Sequence, residues 1–153
     1  MATITQEKTF HKKDIFDLIK NISKKPYFED SNRSVILFKE NCFDILPQIP
    51  DNSIDMIFAD PPYANIIHYT DSTEGDLSFL DIDEFLKEMV KVARESLRVL
   101  KPGRQCAILI EDTRRKKHVI PLGLELINIY LDAGFKLREL VIKRQHNCKT
   151  TGF

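Results

Sequence analysis

Apolar positions change their period several times along this chain. In "DIFDLIKNISKK" Ile15, Leu18, Ile19 and Ile22 recur at helical spacing, which predicts an amphipathic helix lying against something larger, followed by a loop over residues 25–33. Short continuous runs then take over. "SVILF" (34–38) and "IDMIFA" (54–59) are rich in β-branched and aromatic residues and bounded by polar and turn residues, so both predict buried strands. Between them "FDILPQIPDNS" predicts a helical turn broken by Pro47 and Pro50. From residue 83 the helical period returns at Leu86, Met89, Val90, Ala93, Leu97 and Leu100. Asp81 is its expected N-cap with Glu84 as capping-box partner, Leu80 and Phe85 fit a hydrophobic staple, and "KPG" (101–103) stops it. "QCAILI" (105–110) predicts another buried strand. A second helix is expected from near Pro121 to Gly134, a residue suited to the left-handed cap, and "KLRELVIKRQ" (136–145) predicts a last strand.

Strands alternating with helices imply an open, mainly parallel α/β sheet covered on both faces. In such sheets ligands sit outside the carboxyl ends of the strands. "DPPY" (60–63) stands at one of those ends. Two prolines in series have fixed φ and no N–H, so they carry the chain out of the sheet along one stiff path, and Asp60 is kept out of the helical region because it precedes a proline. The resulting loop shows two acceptors, the Asp60 carboxylate and the Pro61 carbonyl, with the flat ring of Tyr63 beside them. A group with two hydrogens to donate and a ring to stack fits it: the exocyclic amine of a nucleobase. Hydrogen bonds from that amine to Asp60 and Pro61 favour a more tetrahedral nitrogen with its lone pair free for attack, which is preorganised electrostatic catalysis. Tyr63 would hold the ring of an extruded base by stacking. Four residues make a short motif, and the plain alternative is a strand-ending loop with a surface aspartate.

Composition adds bounds. With 153 residues, 42% of them hydrophobic, the chain is long enough for one domain with a single core. Formal net charge is zero but unevenly split: residues 101–153 carry 11 Lys+Arg against 5 Asp+Glu, which favours a polyanion on that side. Cys42, Cys106 and Cys148 are far apart and form no Cys-x-x-Cys pair, so reduced thiols, a cytoplasmic setting and no zinc site are expected. The first 30 residues are interrupted by Lys and Asp too often for a signal-peptide core or a membrane span.

"FADPPY", "ESLRVLKPGRQCAILIEDTRRKKHVIPLG" and "AGFKLRELVIKRQHN" together resemble the amino-group DNA methyltransferases, which modify adenine N6 or cytosine N4 with S-adenosylmethionine. The resemblance runs from about residue 34 to the end. It implies a Rossmann-like α/β methyltransferase fold, double-stranded DNA as partner, and Asp60, Pro61, Pro62 and Tyr63 as the catalytic loop, with Asp60 also beside the cofactor. "SVILFKENC" resembles the element whose end lies near the cofactor adenine, making Asn41 a candidate cofactor contact. The family's glycine-rich turn, resembling Phe-x-Gly-x-Gly, is missing: Gly75, Gly103, Gly123, Gly134 and Gly152 are widely separated, and residues 1–33 contain no glycine. In the permuted β class the catalytic half comes first and the glycine-rich half follows. This chain looks like that first half, with residues 1–33 as an N-terminal helix and loop and 34–153 as the catalytic half. The resemblance then implies an incomplete sheet with a gap between the strands at 34–38 and 54–59, filled by self-association, by rearrangement or by the missing half in trans.

The remaining residues take their meaning from that resemblance. Arg114, Arg115, Lys116 and Lys117 in "EDTRRKKH" either meet DNA phosphates or form a solvated basic loop, and Asp112 is placed to hold one of the arginines. His146 and Asn147 are candidate substrate contacts, and His68 is expected to be a packing or surface residue rather than a base. Cys42 and Cys106 are expected in the core. Two other functions stay open at this point: an RNA or protein amine methyltransferase, and a non-catalytic nucleic-acid-binding module of the same fold. An aspartate at the head of the tetrapeptide leans towards adenine, because the cytosine enzymes more often resemble Ser-Pro-Pro-Tyr.

Overall fold

The structure is a computed structural model that describes residues 17–64, 68, 71 and 75–144. In chain order the elements are β1 (Phe28–Asp30), β2 (Val35–Leu37), α1 (Cys42–Ile45), a 3-10 turn (Leu46–Gln48), β3 (Ile54–Ala59), a second 3-10 turn (Leu77–Phe79), α2 (Ile82–Val99), β4 (Leu100–Ile108), β5 (Thr113–Arg115), β6 (His118–Ile120) and α3 (Leu122–Ala133). Residues 17–19 are helical, and most of the amphipathic helix expected around Ile15 lies outside the described residues.

The two long helices form where the pattern and the caps agree. Asp81 accepts from the Glu84 N–H at 2.9 Å and starts α2. Phe85, Met89, Ala93, Ser96 and Val99 form its buried stripe. Gly134 ends α3 at φ +113°, its N–H donating to Leu131 and Tyr130. The Phe135 N–H reaches the Tyr130 carbonyl at 3.0 Å, and their rings lie 5.2 Å apart, so a hydrophobic contact closes the left-handed cap. Leu126 and Tyr130 on α3 meet Phe85, Met89 and Ala93 on α2, with Ala64 in the same cluster. Arg98, near the end of α2, holds the preceding segment by donating to the Leu46 carbonyl (2.7 Å), the Ile49 carbonyl (2.8 Å) and Asp51 (2.6 Å).

β3 and β4 are parallel, pairing Ile57 with Cys106 and Ala59 with Ile108. The α2 helix runs straight into β4, whose "KPG" stretch is part of the strand. The register shifts between Ile54 and Met56, opposite a stretch where Gly103 has φ +77°. The β4 strand therefore begins five residues earlier than the apolar run "QCAILI". Its Cys106 and Ile108, with Ile110 just beyond, pack against the helical cluster.

Three expectations are corrected. The run at 34–38 does form a strand, but β2 pairs antiparallel with β1, in a segment expected to be loop, and it exposes Val35 and Leu37 instead of burying them in the parallel sheet. Residues 136–144 form no strand and leave Leu137, Leu140, Val141 and Ile142 exposed, Ile142 by 93%. Cys42 is exposed rather than in the core, because it opens α1 at the surface. The first two corrections share one cause, since a central strand needs a neighbour on each side. Among the described residues the sheets are three separate pairs, β1–β2, β3–β4 and β5–β6, and β2 does not reach β3. The sheet is accordingly an incomplete α/β sheet, open where the glycine-rich half was expected.

Candidate active site

The "DPPY" loop begins where pairing ends. Ala59 is opposite Ile108, and the Leu109 N–H donates to the Ala59 carbonyl at 2.8 Å, so Asp60 is the first residue beyond the ladder, at the carboxyl edge of the parallel pair. Asp60 is exposed; Pro61, Pro62 and Tyr63 are half-buried. On the far side Ala64 is fully buried in the helical cluster. The tetrapeptide is thus a short span between two fixed points, with two φ angles set by proline. The path of the loop is therefore set by the fold at both of its ends.

"EDTRRKKH" leaves the same edge. It is a β-hairpin where a loop was expected: Thr113 pairs with Ile120, Arg114 with Val119 and Arg115 with His118. Lys116 and Lys117 form its two-residue connection with φ +49° and +70°. Positive φ at both positions matches the twist of the strands, but two lysines do not signal such a turn as Asn-Gly does, which is why the pattern of the chain did not reveal it. Arg114, Lys116 and Lys117 are exposed. Arg115 is half-buried, and its guanidinium donates from Nη2 to the Ala64 carbonyl at 3.1 Å, next to the tetrapeptide. Asp112 accepts from the Gly123 N–H at 2.9 Å. That bond caps α3, whose Pro121 at the N-cap has no side-chain acceptor of its own.

Asn41 is held by a separate set of contacts. Its Oδ1 caps α1 by accepting from the Phe43 N–H at 3.0 Å, and its Nδ2 donates to the Gly75 carbonyl at 3.1 Å, so its amide fastens α1 to the segment that follows the tetrapeptide loop. His68 stacks on Phe79, with centroids 4.0 Å apart and planes 8° from parallel, a packing role. His146 and Asn147 lie outside the described residues. Of the sequence candidates, the structure brings together the Asp60–Tyr63 loop and the basic hairpin, through Arg115.

Fold and site together define a partial α/β protein that presents a stiff, acceptor-rich loop at the carboxyl edge of its parallel strands, flanked by a basic hairpin. Residues 54–152 match the model of the DNA methylase family of N6 and N4 enzymes, and the chain belongs to that family. It is 34% identical to the type II methyltransferase M.BamHI of Bacillus amyloliquefaciens over 67% of this chain and 23% of that one. Against the type II methyltransferase M.MjaVI of Methanocaldococcus jannaschii it is 29% identical over 65% of this chain and 49% of that one. In structure it is similar to a Thermus thermophilus protein described as a putative DNA modification methylase, with a TM-score of 0.50 and 26% identity, covering 63% of this chain and 39% of the other. The chain therefore spans half or less of the length of these relatives.

Proposed function

We propose that this chain is the base-binding, catalytic half of a β-class DNA amino-methyltransferase that uses S-adenosylmethionine and acts on adenine N6 or cytosine N4 in double-stranded DNA. The observation that carries the reading is the position of Asp60-Pro61-Pro62-Tyr63: immediately past the last paired residues of β3 and β4, fixed by the sheet at Ala59 and by the core at Ala64. In this loop the Asp60 carboxylate and Pro61 carbonyl accept the two amine hydrogens of an extruded base, and Tyr63 stacks on its ring. Drawing both hydrogens to acceptors moves the nitrogen lone pair out of conjugation with the ring, which makes the amine a nucleophile. The basic hairpin supplies phosphate contacts from Arg114, Lys116 and Lys117 on the same edge, and His146 and Asn147 are the further substrate contacts.

S-adenosylmethionine supplies the methyl group in such a reaction, but the described residues do not by themselves fit it. Gly75 lies in a turn, Gly103 within β4, Gly123 in the first turn of α3 and Gly134 at its end, so no two of them make a glycine-rich turn. Both polar atoms of the Asn41 amide are engaged within the chain. The donor's site therefore belongs to a second, glycine-rich half, continuous with this chain or supplied in trans, whose strands would pair along the open side of β3. One of the relatives, from Bacillus sp., carries the description type II beta methyltransferase, which supports the permuted order. A restriction-modification or orphan modification system in the cytoplasm is the setting this reading implies.

Mixing the chain with such a half and assaying methyl transfer to duplex DNA tests the reading. Asp60→Ala should reduce transfer on the order of 10²–10³-fold or more, the scale seen when one preorganised electrostatic partner is removed. DNA retardation in a gel should be largely unchanged. Transfer at the wild-type rate by Asp60→Ala would refute the assignment. S-adenosylmethionine titrated into the chain alone should give no saturable binding, and micromolar binding there would refute the two-part site.

A further inference from the structure

Four consecutive basic side chains lie on one hairpin, yet the fold treats them differently. Arg114, Lys116 and Lys117 are exposed, whereas Arg115 is half-buried with Nη2 at 3.1 Å from the Ala64 carbonyl. Ala64 is the residue after Tyr63, and its side chain is fully buried. A buried alanine fixes the position of its own Cα but not the tilt of the peptide plane on either side of it. A guanidinium donor on the carbonyl restrains the tilt of the plane that follows Ala64, because rotating that plane carries the oxygen off the N–H direction and the bond weakens steeply as the N–H···O angle closes. Arg115 is itself held on two sides. It is a paired residue of the hairpin, opposite His118, and the base of that hairpin is anchored where Asp112 accepts from Gly123 at the start of α3. A chain of contacts thus runs from α3 through the hairpin to the exit of the tetrapeptide.

We infer that Arg115 is a positioning residue for the Asp60–Tyr63 loop, acting through the Ala64 carbonyl, and that it is not one of the DNA-phosphate contacts. The inference rests on the reading of that loop as the base-binding one. Lysine is a poor substitute at this position, since it offers a point charge where the planar fork offers a directed donor.

The test uses the whole chain labelled with ¹⁵N, comparing wild type, Arg115→Ala and Arg115→Lys by backbone relaxation. In the wild type the amides of Tyr63 and Ala64 should have order parameters near those of rigid backbone, about 0.85, and in Arg115→Ala they should fall below about 0.6 while α2 is unchanged. Arg115→Lys should lie between the two, and it carries the test if the alanine variant does not fold. A purely structural arginine would instead lower order throughout α2 and β4, or lower the unfolding midpoint with Tyr63 and Ala64 unaltered, and either result overturns the inference. With the glycine-rich half added, Arg115→Ala should lower kcat on the order of 10²-fold, the scale of a misplaced reacting group, with KM for DNA unchanged. A raised KM at constant kcat would instead return Arg115 to the phosphate contacts. If the wild-type mixture transfers no methyl group, the functional reading fails, and the relaxation comparison still decides whether Arg115 positions the loop.

Discussion

The two faces of the β3–β4 pair have opposite fates. On one face Cys106 and Ile108 of β4 pack against the cluster made by Phe85, Met89 and Ala93 of α2 and Leu126 and Tyr130 of α3. On the other Met56 and Phe58 of β3 are 57% and 69% exposed, although parallel strands are ordinarily buried on both sides. Each large apolar side chain left partly in water forgoes a share of the roughly 1.5–3 kcal/mol that full burial contributes. Val35 and Leu37 of β2 and Leu137, Leu140, Val141 and Ile142 are likewise left exposed. An apolar pattern specifies that a surface is to be covered; what covers it must be present for the pattern to become a core.

The sharpest way to break this comparison is to truncate one aromatic on each side. Phe85→Ala, at a fully buried position, should cost about 3–5 kcal/mol in urea unfolding. Phe58→Ala should change stability by no more than about 0.5 kcal/mol. An equal loss at both positions would mean that the outer face of β3 is covered in solution, and the loss at Phe58 should then depend on protein concentration.

A smaller effect tests whether the covered side owes its order to its caps as well as its packing. At Gly134, φ is +113° and an added Cβ would stand 3.0 Å from Leu97 Cδ2. Gly134→Ala should therefore cost about 1–2 kcal/mol, from the left-handed backbone and the displaced leucine together. A neutral result by the same unfolding measurement would show that α3 tolerates another ending.

The remaining effect is a pH dependence confined to alkaline solution. Burial pushes the Cys106 thiol up to about 11, and burial likewise pushes the Tyr130 hydroxyl up to about 12. Both are acids held neutral in the folded chain, while in the unfolded chain they ionise near 9 and 10. The unfolded state thus releases these protons first. Stability should be insensitive to the pair below about pH 9, fall as pH rises towards 12, and level off above the folded values. Cys106→Ala should flatten the first part of that fall in unfolding midpoints measured across the range.

By itself the sequence determined the parts whose causes are local. Asp81 and Gly134 mark their helix ends because a cap is a matter of one side chain or one φ angle. The loop at Asp60–Tyr63 is legible because proline restricts the backbone whatever surrounds it. The parallel pairing of β3 with β4 followed from strands joined through a helix. Only the tertiary structure decided the rest. β2 turned to β1 and residues 136–144 remained unpaired because a strand is completed by neighbours, and apolar composition does not supply them. The hairpin was hidden by a Lys-Lys turn. The separation of Arg115 from three adjacent basic residues depended on where one backbone carbonyl, 51 positions away, comes to rest. Composition could place four positive charges on one edge, but burial and a single directed hydrogen bond set one of them apart.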